Sequence, residues 1–196
     1  MSPLEIFEAD VAATVSAISL EEWSGVKASV REMHWSAGES IYGQHLIGDR
    51  WLFVTKGVVA SEQSHSDGSH SIARFFERGQ FCANLTSTWM KEFATDDLIA
   101  ITDVAGVELP DQFFRENYLH GGPLGEYLRH KLMETLCFDK EMIVAKTIGL
   151  TEVRYRVLED LHEQVIGLTR KKEVASFLGI TPQGLSRFLR NRASGT

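Results

Sequence analysis

Apolar residues recur at steps of three and four along residues 4–34, which predicts that this stretch is mostly helical. The apolar positions are Leu4, Phe7, Val11, Val15, Ile18, Trp23, Val26 and Val30. Over about residues 33–109 the pattern changes to short apolar or alternating runs, such as 51–54 and 71–76, separated by turn residues. Such runs between closely spaced turns are typical of an antiparallel barrel or roll. We therefore predict N-terminal helices and an antiparallel, jelly-roll-like β-roll within residues 1–120.

A second and longer helical pattern follows a break in the chain at residues 121–123. Two glycines end the strand pattern there, and Pro123 suits the first turn of a helix, where its missing N–H costs nothing. The helix is predicted to reach Ile148, a length of about 39 Å. Its apolar residues step by three or four and are Leu124, Leu128, Leu132, Thr135, Phe138, Met142 and Ala145.

This apolar stripe has two interpretations. It can simply cover the roll, but a helix of such length extends beyond one small domain. We therefore predict that residues 121–149 form a dimerisation helix, whose far half pairs with a second copy of the chain. The predicted pairing residues are Leu128, Leu132, Thr135, Phe138 and Met142.

After a hinge at Gly149, residues 150–196 are predicted to form a small helical domain. Apolar residues from 153 to 165 give one helix a single apolar face, and Gly167 ends it. Two short helices then meet at a tight turn, with Gly179 where a positive φ is needed. Their shared core consists of Val174, Ala175, Leu178, Ile180, Leu185 and Phe188. This arrangement predicts a helix-turn-helix that binds DNA.

The second helix of this pair presents polar residues at its start and on its outer face. Thr181 can cap it, and Pro182 fits its first position. Residues 169–192 contain six Lys or Arg and one acid, a balance of +5, whereas the whole chain carries −7. A basic module on an acidic body suits phosphate contact, which an ordinary helical hairpin would not require. The predicted DNA-binding residues are Arg170, Lys171, Lys172, Thr181, Pro182, Gln183, Gly184, Ser186, Arg187 and Arg190.

The remaining composition narrows the class of protein. No apolar run of about 18 residues occurs, and the acidic N-terminus differs from a secretory signal, so we expect a cytoplasmic protein without a membrane span. The two cysteines, Cys82 and Cys137, form no CxxC pair, so we expect no metal or iron–sulfur site. The sequence contains no nucleophile elbow, P-loop or GxGxxG, so we expect no catalytic residues and no enzymatic activity.

Three short motifs of the predicted roll resemble, in the same order, the roll signatures of the Crp/Fnr family of bacterial transcription regulators. They are the turn Ala37–Glu39, the apolar strand Leu52–Gly57, and the strand and loop Gly79–Leu85. The segment Glu173–Leu189 resembles that family's helix-turn-helix nearly position for position. The resemblance covers about residues 30–192 of the chain.

The resemblance implies an α+β fold and a homodimer in which the long helices pair. It also implies an effector site in each roll and two recognition helices in successive major grooves of double-stranded DNA. RNA polymerase is implied as a further partner. Carrying over the recognition-helix positions places base-edge contacts on Pro182, Gln183 and Arg187, of which Gln183 suits adenine and Arg187 suits guanine.

The effector pocket implied by the resemblance departs from the family pattern. Its positions are occupied by Ala83, Asn84, Leu85, Ala94 and Thr95. The family's Gly-Glu pair, whose Glu holds a ribose, is Ala83-Asn84 here, and its phosphate-binding Arg is Ala94. Asp96 and Asp97 follow, and carboxylates repel a phosphate. We therefore expect that neither cyclic AMP nor cyclic GMP is the effector, whose identity the sequence leaves unknown.

Three functions remain open from the sequence. The leading one is a dimeric, sequence-specific DNA-binding transcription regulator. The alternative is a ligand-sensing or protein-interaction module of the same fold that binds no operator. A cupin-type enzyme with a barrel-bound metal is the third, but the histidines of the predicted strands lack the spacing of metal ligands. The salt dependence of duplex binding separates the first two.

Overall fold

Two short helices precede the sheet in the computed structural model, which describes residues 1–15 and 18–194. They are α1 (Pro3–Thr14) and α2 (Leu20–Ser29), and each begins after a serine whose hydroxyl accepts from a backbone N–H of the first turn. The helical prediction to residue 34 was too long, because the first strand starts at Arg31. Residues 31–35 pair along the last strand of the roll, and this backbone pairing overrides the local apolar spacing.

Eight short strands form an antiparallel roll of two four-stranded sheets within the described residues. The strands are β1 (Arg31–Trp35), β2 (Ser40–Tyr42), β3 (Arg50–Lys56), β4 (Val59–Ser64), β5 (His70–Phe76), β6 (Phe81–Cys82), β7 (Asp97–Ala100) and β8 (Val104–Pro110). The strand orders are β1-β8-β3-β6 in one sheet and β2-β7-β4-β5 in the other. A short helix, α3 (Leu85–Met90), connects β6 to β7. The predicted α+β fold with an antiparallel roll is confirmed.

Six further helices follow the roll in the described part of the chain. They are α4 (Asp111–His120), α5 (Gly122–Ile148), α6 (Thr151–Leu161), α7 (Glu163–Leu168), α8 (Lys171–Leu178) and α9 (Pro182–Ala193). The long helix α5 begins one residue before its predicted start and ends where predicted. The single helix predicted between Gly149 and Gly167 is instead two, because the backbone leaves the helical region at His162. Among the described helices, none is both long and apolar enough to cross a membrane.

An aromatic core holds the roll against α1, α4 and α5. The ring centroid of Phe7 lies 5.0 Å from that of Phe53 and 5.8 Å from that of Tyr127. The rings of Trp51 and Phe114 stack with centroids 3.9 Å apart. The N-terminal helices and the start of α5 therefore belong to the same folded unit as the roll. Burial of each large apolar side chain of this core stabilises the folded state by roughly 1.5–3 kcal/mol.

The C-terminal helices pack against the roll through a second core. We refer to α8, the following turn and α9 as the two-helix unit. The ring of Phe177 on α8 lies 5.0 Å from that of Phe75 on β5, between centroids. The backbone N–H of Ile72 donates to the hydroxyl of Ser176 at 3.0 Å. The two-helix unit is therefore docked on the β4–β5 face of the roll, and one apolar cluster spans both.

Candidate functional site

The two-helix unit turns sharply between α8 and α9. Gly179 has a φ of +68°, in the left-handed region that residues with a Cβ rarely adopt. The backbone N–H of Ile180 donates to the carbonyl of Ala175 at 3.0 Å, which closes the turn. The Thr181 hydroxyl accepts from the N–H of Gly184 at 3.0 Å, and Pro182 occupies the first helical position. The local chemistry of the sequence thus sets this turn.

The apolar residues predicted for this unit meet between its helices. Val174, Ala175, Leu178 and Leu185 are buried, and Ile180 and Phe188 pack against them. Ala175 is completely buried, as expected of a small residue at a close helix crossing. This core fixes α9 with its polar side directed away from α8.

The polar side of α9 is exposed near the start of the helix. Gln183 and Arg187 are exposed and lie about one turn apart, with Ser186 half-buried beside them. Arg190 continues this face toward the end of the helix. Within the described residues, Arg187 and Arg190 make no side-chain hydrogen bond or ion pair, so their donors can serve a ligand.

The basic residues of the two-helix unit differ in whether a carboxylate of the same chain pairs with them. Lys171 and Lys172 are exposed. Arg170 donates through Nε to the Glu173 carboxylate at 2.7 Å, and this bond raises the pKa of Arg170. Sequence reasoning did not select Arg192, whose Nη1 lies 2.7 Å from a carboxylate oxygen of Glu159. Arg170 and Arg192 thus have partners within the protein, whereas the two lysines project freely.

The predicted effector pocket lies at the start of α3 and is closed by its own polar groups. The side-chain oxygen of Asn84 caps α3 by accepting from the N–H of Ser87 at 3.0 Å. Its amide nitrogen donates to the Asp96 carboxylate, and the Ser61 hydroxyl of β4 donates to the same carboxylate. Among the other predicted pocket residues, Ala83 and Ala94 are buried, and Leu85 and Thr95 are exposed. Asn84 is therefore already bonded on both sides.

The interior of the roll beside this pocket is filled. The space lined by Asn84, Arg50 and Glu108 has a volume of about 10 Å³. A space of that size holds one water at most. Nη1 of Arg50 also lies 3.2 Å from a carboxylate oxygen of Glu108. This ion pair links β3 and β8 beside that space. The space beside Asn84 is therefore too small for a nucleotide in this conformation.

Arg74 on β5 was not selected from the sequence. Its Nη1 lies 2.8 Å from an Asp139 carboxylate oxygen on α5, while its Nε and Nη2 are buried without a partner in the described residues. Burial lowers the pKa of Arg74, and the Asp139 charge opposes this effect. Burial likewise raises the pKa of Asp139. Nothing in the local sequence distinguishes Arg74, since only the fold brings it to α5.

The predicted pairing residues of α5 face the chain's own core. Leu128 is fully buried in the aromatic core, and Met142 is buried in the core shared with the two-helix unit. Thr135 is only 5% exposed, and Leu132 and Phe138 are half-buried. Their burial within the chain has a simple reason: α5 carries apolar residues at helical spacing on two faces, and periodicity does not tell which face the roll covers.

The other apolar face of α5 is exposed, and we name it the outer stripe. It consists of Met133, Leu136, Lys140, Ile143 and Thr147, with Cys137, Val144 and Ile148 beside them. Its principal apolar members are strongly exposed, with Met133 at 60%, Leu136 at 55% and Ile143 at 64%. Exposed apolar side chains repeated along one helix face form a candidate interaction surface.

The comparisons with known proteins agree with this architecture. Residues 32–119 match the cyclic nucleotide-binding domain family. The fold is similar to FixK2 from Bradyrhizobium japonicum, with a TM-score of 0.67 and 17% identity over 85% of this chain and 86% of that chain. No curated protein matches the chain.

Two further solved structures have the same arrangement. A CooA mutant from Carboxydothermus hydrogenoformans gives a TM-score of 0.66 and 16% identity over 92% of this chain and 86% of that chain. The catabolite activator protein of Thermus thermophilus gives a TM-score of 0.51 and 17% identity over 91% of this chain and 85% of that chain. At these identities the likeness establishes the shared fold of roll, long helix and terminal helices.

Proposed function

We propose that this chain, which has the fold of Crp/Fnr-type regulators and carries a cyclic nucleotide-binding domain, is a dimeric, sequence-specific DNA-binding transcription regulator. The observation that carries the proposal is the exposed polar face of α9, where Gln183 and Arg187 lie near the helix start. Positive charge is concentrated in the same unit, at +5 over residues 169–192 in a chain of net charge −7. Such a local excess suits the DNA backbone, because affinity grows with each phosphate that is neutralised.

We assign α9 to the major groove of the duplex. Pro182 offers no donor, so base reading falls to Gln183, which suits adenine, and to Arg187, which suits guanine. Lys171 and Lys172 are placed to contact phosphates, since both project freely from the start of α8. In this assignment the helix-turn-helix is the two-helix unit.

The outer stripe is the surface we assign to dimerisation. Its members at residues 133, 136, 140, 143 and 147 follow steps of three and four, which is the a/d spacing of a coiled coil. Lys140 is a polar residue at one such position, and a single polar residue of this kind can fix the register of paired helices. Pairing along this stripe would cover the exposed apolar side chains of α5.

A cyclic nucleotide is not part of the proposed mechanism. The amide of Asn84 is bonded to Asp96, so it is not free to hold a ribose. Arg74 is bonded to Asp139, and the roll interior measures about 10 Å³ near Asn84. A phosphate at this position would meet the Asp96 carboxylate at close range. We infer that the effector, where one acts, is a different molecule.

Binding to DNA selected from random duplexes tests the proposal. The purified chain should enrich a palindromic sequence, and its affinity for that duplex should fall by about 10³-fold between about 50 and 200 mM salt. A protein-interaction module without operator binding would enrich no sequence and give no salt-dependent anisotropy change. The proposal also places the chain in the cytoplasm, beside DNA and RNA polymerase, and assigns it no enzymatic activity.

A further inference from the structure

An apolar groove lies outside the roll, where α3, α4 and α5 meet. Its volume is about 390 Å³, which is within the range of about 300–1,000 Å³ of small-molecule sites. Trp51, Trp89 and Tyr118 supply aromatic lining, and Leu132 and Leu136 of α5 line it from the long helix. The rings of Trp89 and Tyr118 meet edge to face with centroids 5.4 Å apart, so the aromatic lining is held in place by its own packing.

The groove carries no charged side chain among its described lining residues. Arg115 packs against the Trp89 ring, 4.3 Å from its centroid, but its charge is already matched. Its Nε donates to Asp111 at 2.6 Å, and its Nη2 donates to the carbonyls of Thr88 and Trp89. A charged ligand in this groove would lose hydration without gaining an opposite charge, so the groove selects uncharged molecules.

Three hydroxyl groups give the groove its polar character. They belong to Thr86 on α3, Tyr118 on α4 and Thr135 on α5. In the described part of the chain, none of these hydroxyls takes part in a hydrogen bond. A few unpaired polar groups within an apolar lining are what orients a ligand in a typical binding site.

We propose that this groove binds an uncharged, largely apolar molecule with an aromatic ring and one group able to form hydrogen bonds. The roll interior offers about 10 Å³ and has no room for such a molecule. Leu136 belongs both to the groove and to the outer stripe, so a bound ligand touches the pairing helix, a consequence that rests on the dimer proposed above.

Two dyes with one aromatic skeleton test the proposal on the full chain. N-phenyl-1-naphthylamine is uncharged, whereas 1-anilinonaphthalene-8-sulfonate carries a sulfonate on the same rings. In a fluorescence titration the uncharged dye should bind saturably at one molecule per chain. The sulfonate should bind at least about tenfold more weakly, because its charge finds no partner in the groove.

Matched variants locate the bound dye. Thr86→Phe fills the groove from an exposed position on α3 and should weaken binding of the uncharged dye by about tenfold or more. Thr86→Val keeps the side-chain volume and should leave the affinity within about twofold, since most of the contact is apolar. Ile143→Ala changes the outer stripe away from the groove and should also leave dye binding unchanged.

Several results would overturn the proposal. They are the absence of saturable binding, equal affinity for the two dyes, and undiminished binding by a folded Thr86→Phe variant. Binding that emerges only when Ile143→Glu and Thr147→Glu, both outside the groove, make the chain monomeric would mean that a second copy fills the groove. The dye titrations contain no DNA. A negative dye result therefore does not bear on the proposal of operator binding, and a failure of operator binding does not bear on the dye result.

Discussion

A carboxylate oxygen of Glu77 lies 3.5 Å from Nδ1 of His162, and both side chains are buried between the roll and the C-terminal helices. Glu77 follows β5, whereas His162 lies at the break between α6 and α7. The His162 ring also packs near Phe138 of α5 and Phe177 of α8, at centroid distances of 6.2 and 6.4 Å. One buried polar contact therefore lies where the roll, the long helix and the two-helix unit meet.

Replacing Glu77 by alanine should lower the free energy of unfolding by about 1–3 kcal/mol, because it removes the polar side chain nearest to the buried Nδ1 of His162 and leaves a gap between the roll and the C-terminal helices. Urea denaturation followed by circular dichroism measures this change. Glu152→Ala is the control: it removes an exposed pair with Arg156 at 2.9 Å, which should contribute at most about 1 kcal/mol. Equal losses for the two variants would mean that burial adds nothing to the Glu77 contact.

The loss of unfolding free energy at low pH should depend on Asp111. Burial raises the pKa of Asp111, but hydrogen bonds from Lys91, Arg115 and Trp51 outweigh it and leave the pKa below its usual value. A lowered folded-state pKa stabilises the protein above the unfolded value of about 3.9, and this stability is lost as the pH falls through the folded value. Asp111→Asn should therefore flatten the decline of unfolding free energy below about pH 4.

Urea denaturation at several pH values measures that slope. Asp160→Asn is a suitable control, because Asp160 is exposed and makes no side-chain hydrogen bond or ion pair in the described residues. Its profile should follow that of the unchanged protein. A decline that is equally steep in Asp111→Asn would show that other groups control acid unfolding.

Arg187→Ala should cost about 1–3 kcal/mol of binding free energy on a selected operator and remove the preference at one base pair. The reason is that an arginine reads guanine through two hydrogen bonds, which the alanine cannot make. Fluorescence anisotropy with single-base operator variants measures both effects. Lys171→Ala is the comparison, since loss of a phosphate contact weakens all sequences alike. A uniform loss for Arg187→Ala would reduce its role to phosphate contact.

Glutamate at both Leu136 and Ile143 should convert the proposed dimer to a folded monomer, because like charges would face each other along the outer stripe. Sedimentation equilibrium measures the mass, and circular dichroism checks the fold. Glutamate at Thr135 and Met142 should instead unfold the chain, since both positions are buried within it. A wild-type chain that is monomeric at micromolar concentration would contradict the assigned interface.

Cyclic AMP and cyclic GMP should give no binding heat at micromolar concentration and should not change operator affinity. The physical reason is that the Asp96 carboxylate repels a phosphate, while the amide of Asn84 is already bonded to Asp96. Isothermal titration calorimetry measures the first effect and anisotropy the second. Micromolar binding that is lost in either Asn84→Ala or Arg74→Ala would mean that these residues separate from their partners and complete a nucleotide site.

The features that follow from short-range chemistry could be predicted from the sequence. Gly179, Thr181 and Pro182 each have one physical role in a tight turn between helices, and each performs it in the structure. The start of α5 near Pro123 is of the same kind. Such positions need no knowledge of distant contacts, because the backbone conformation and the cap are set by neighbouring residues.

The features that depend on tertiary packing could not be predicted in this way. The two apolar faces of α5 are equivalent in the sequence, and only the roll decides that Leu128 is buried and Met133 exposed. Arg74 meets Asp139 across 65 residues of chain, and Ser61 meets Asp96 across 35. Strand pairing creates these neighbours, and a single sequence does not specify its register at that precision.

The burial pattern of α5 anchors the two halves of this helix in two different hydrophobic cores. Leu128 is held in the core of the roll and Met142 in the core of the two-helix unit. The fourteen residue steps from Leu128 to Met142 span about 21 Å at 1.5 Å per step. Because the two-helix unit is also docked on β5, its position follows the roll as well as α5. In the dimer proposed above, the crossing angle of the two long helices, rather than any flexible loop, would therefore set the distance between the two-helix units.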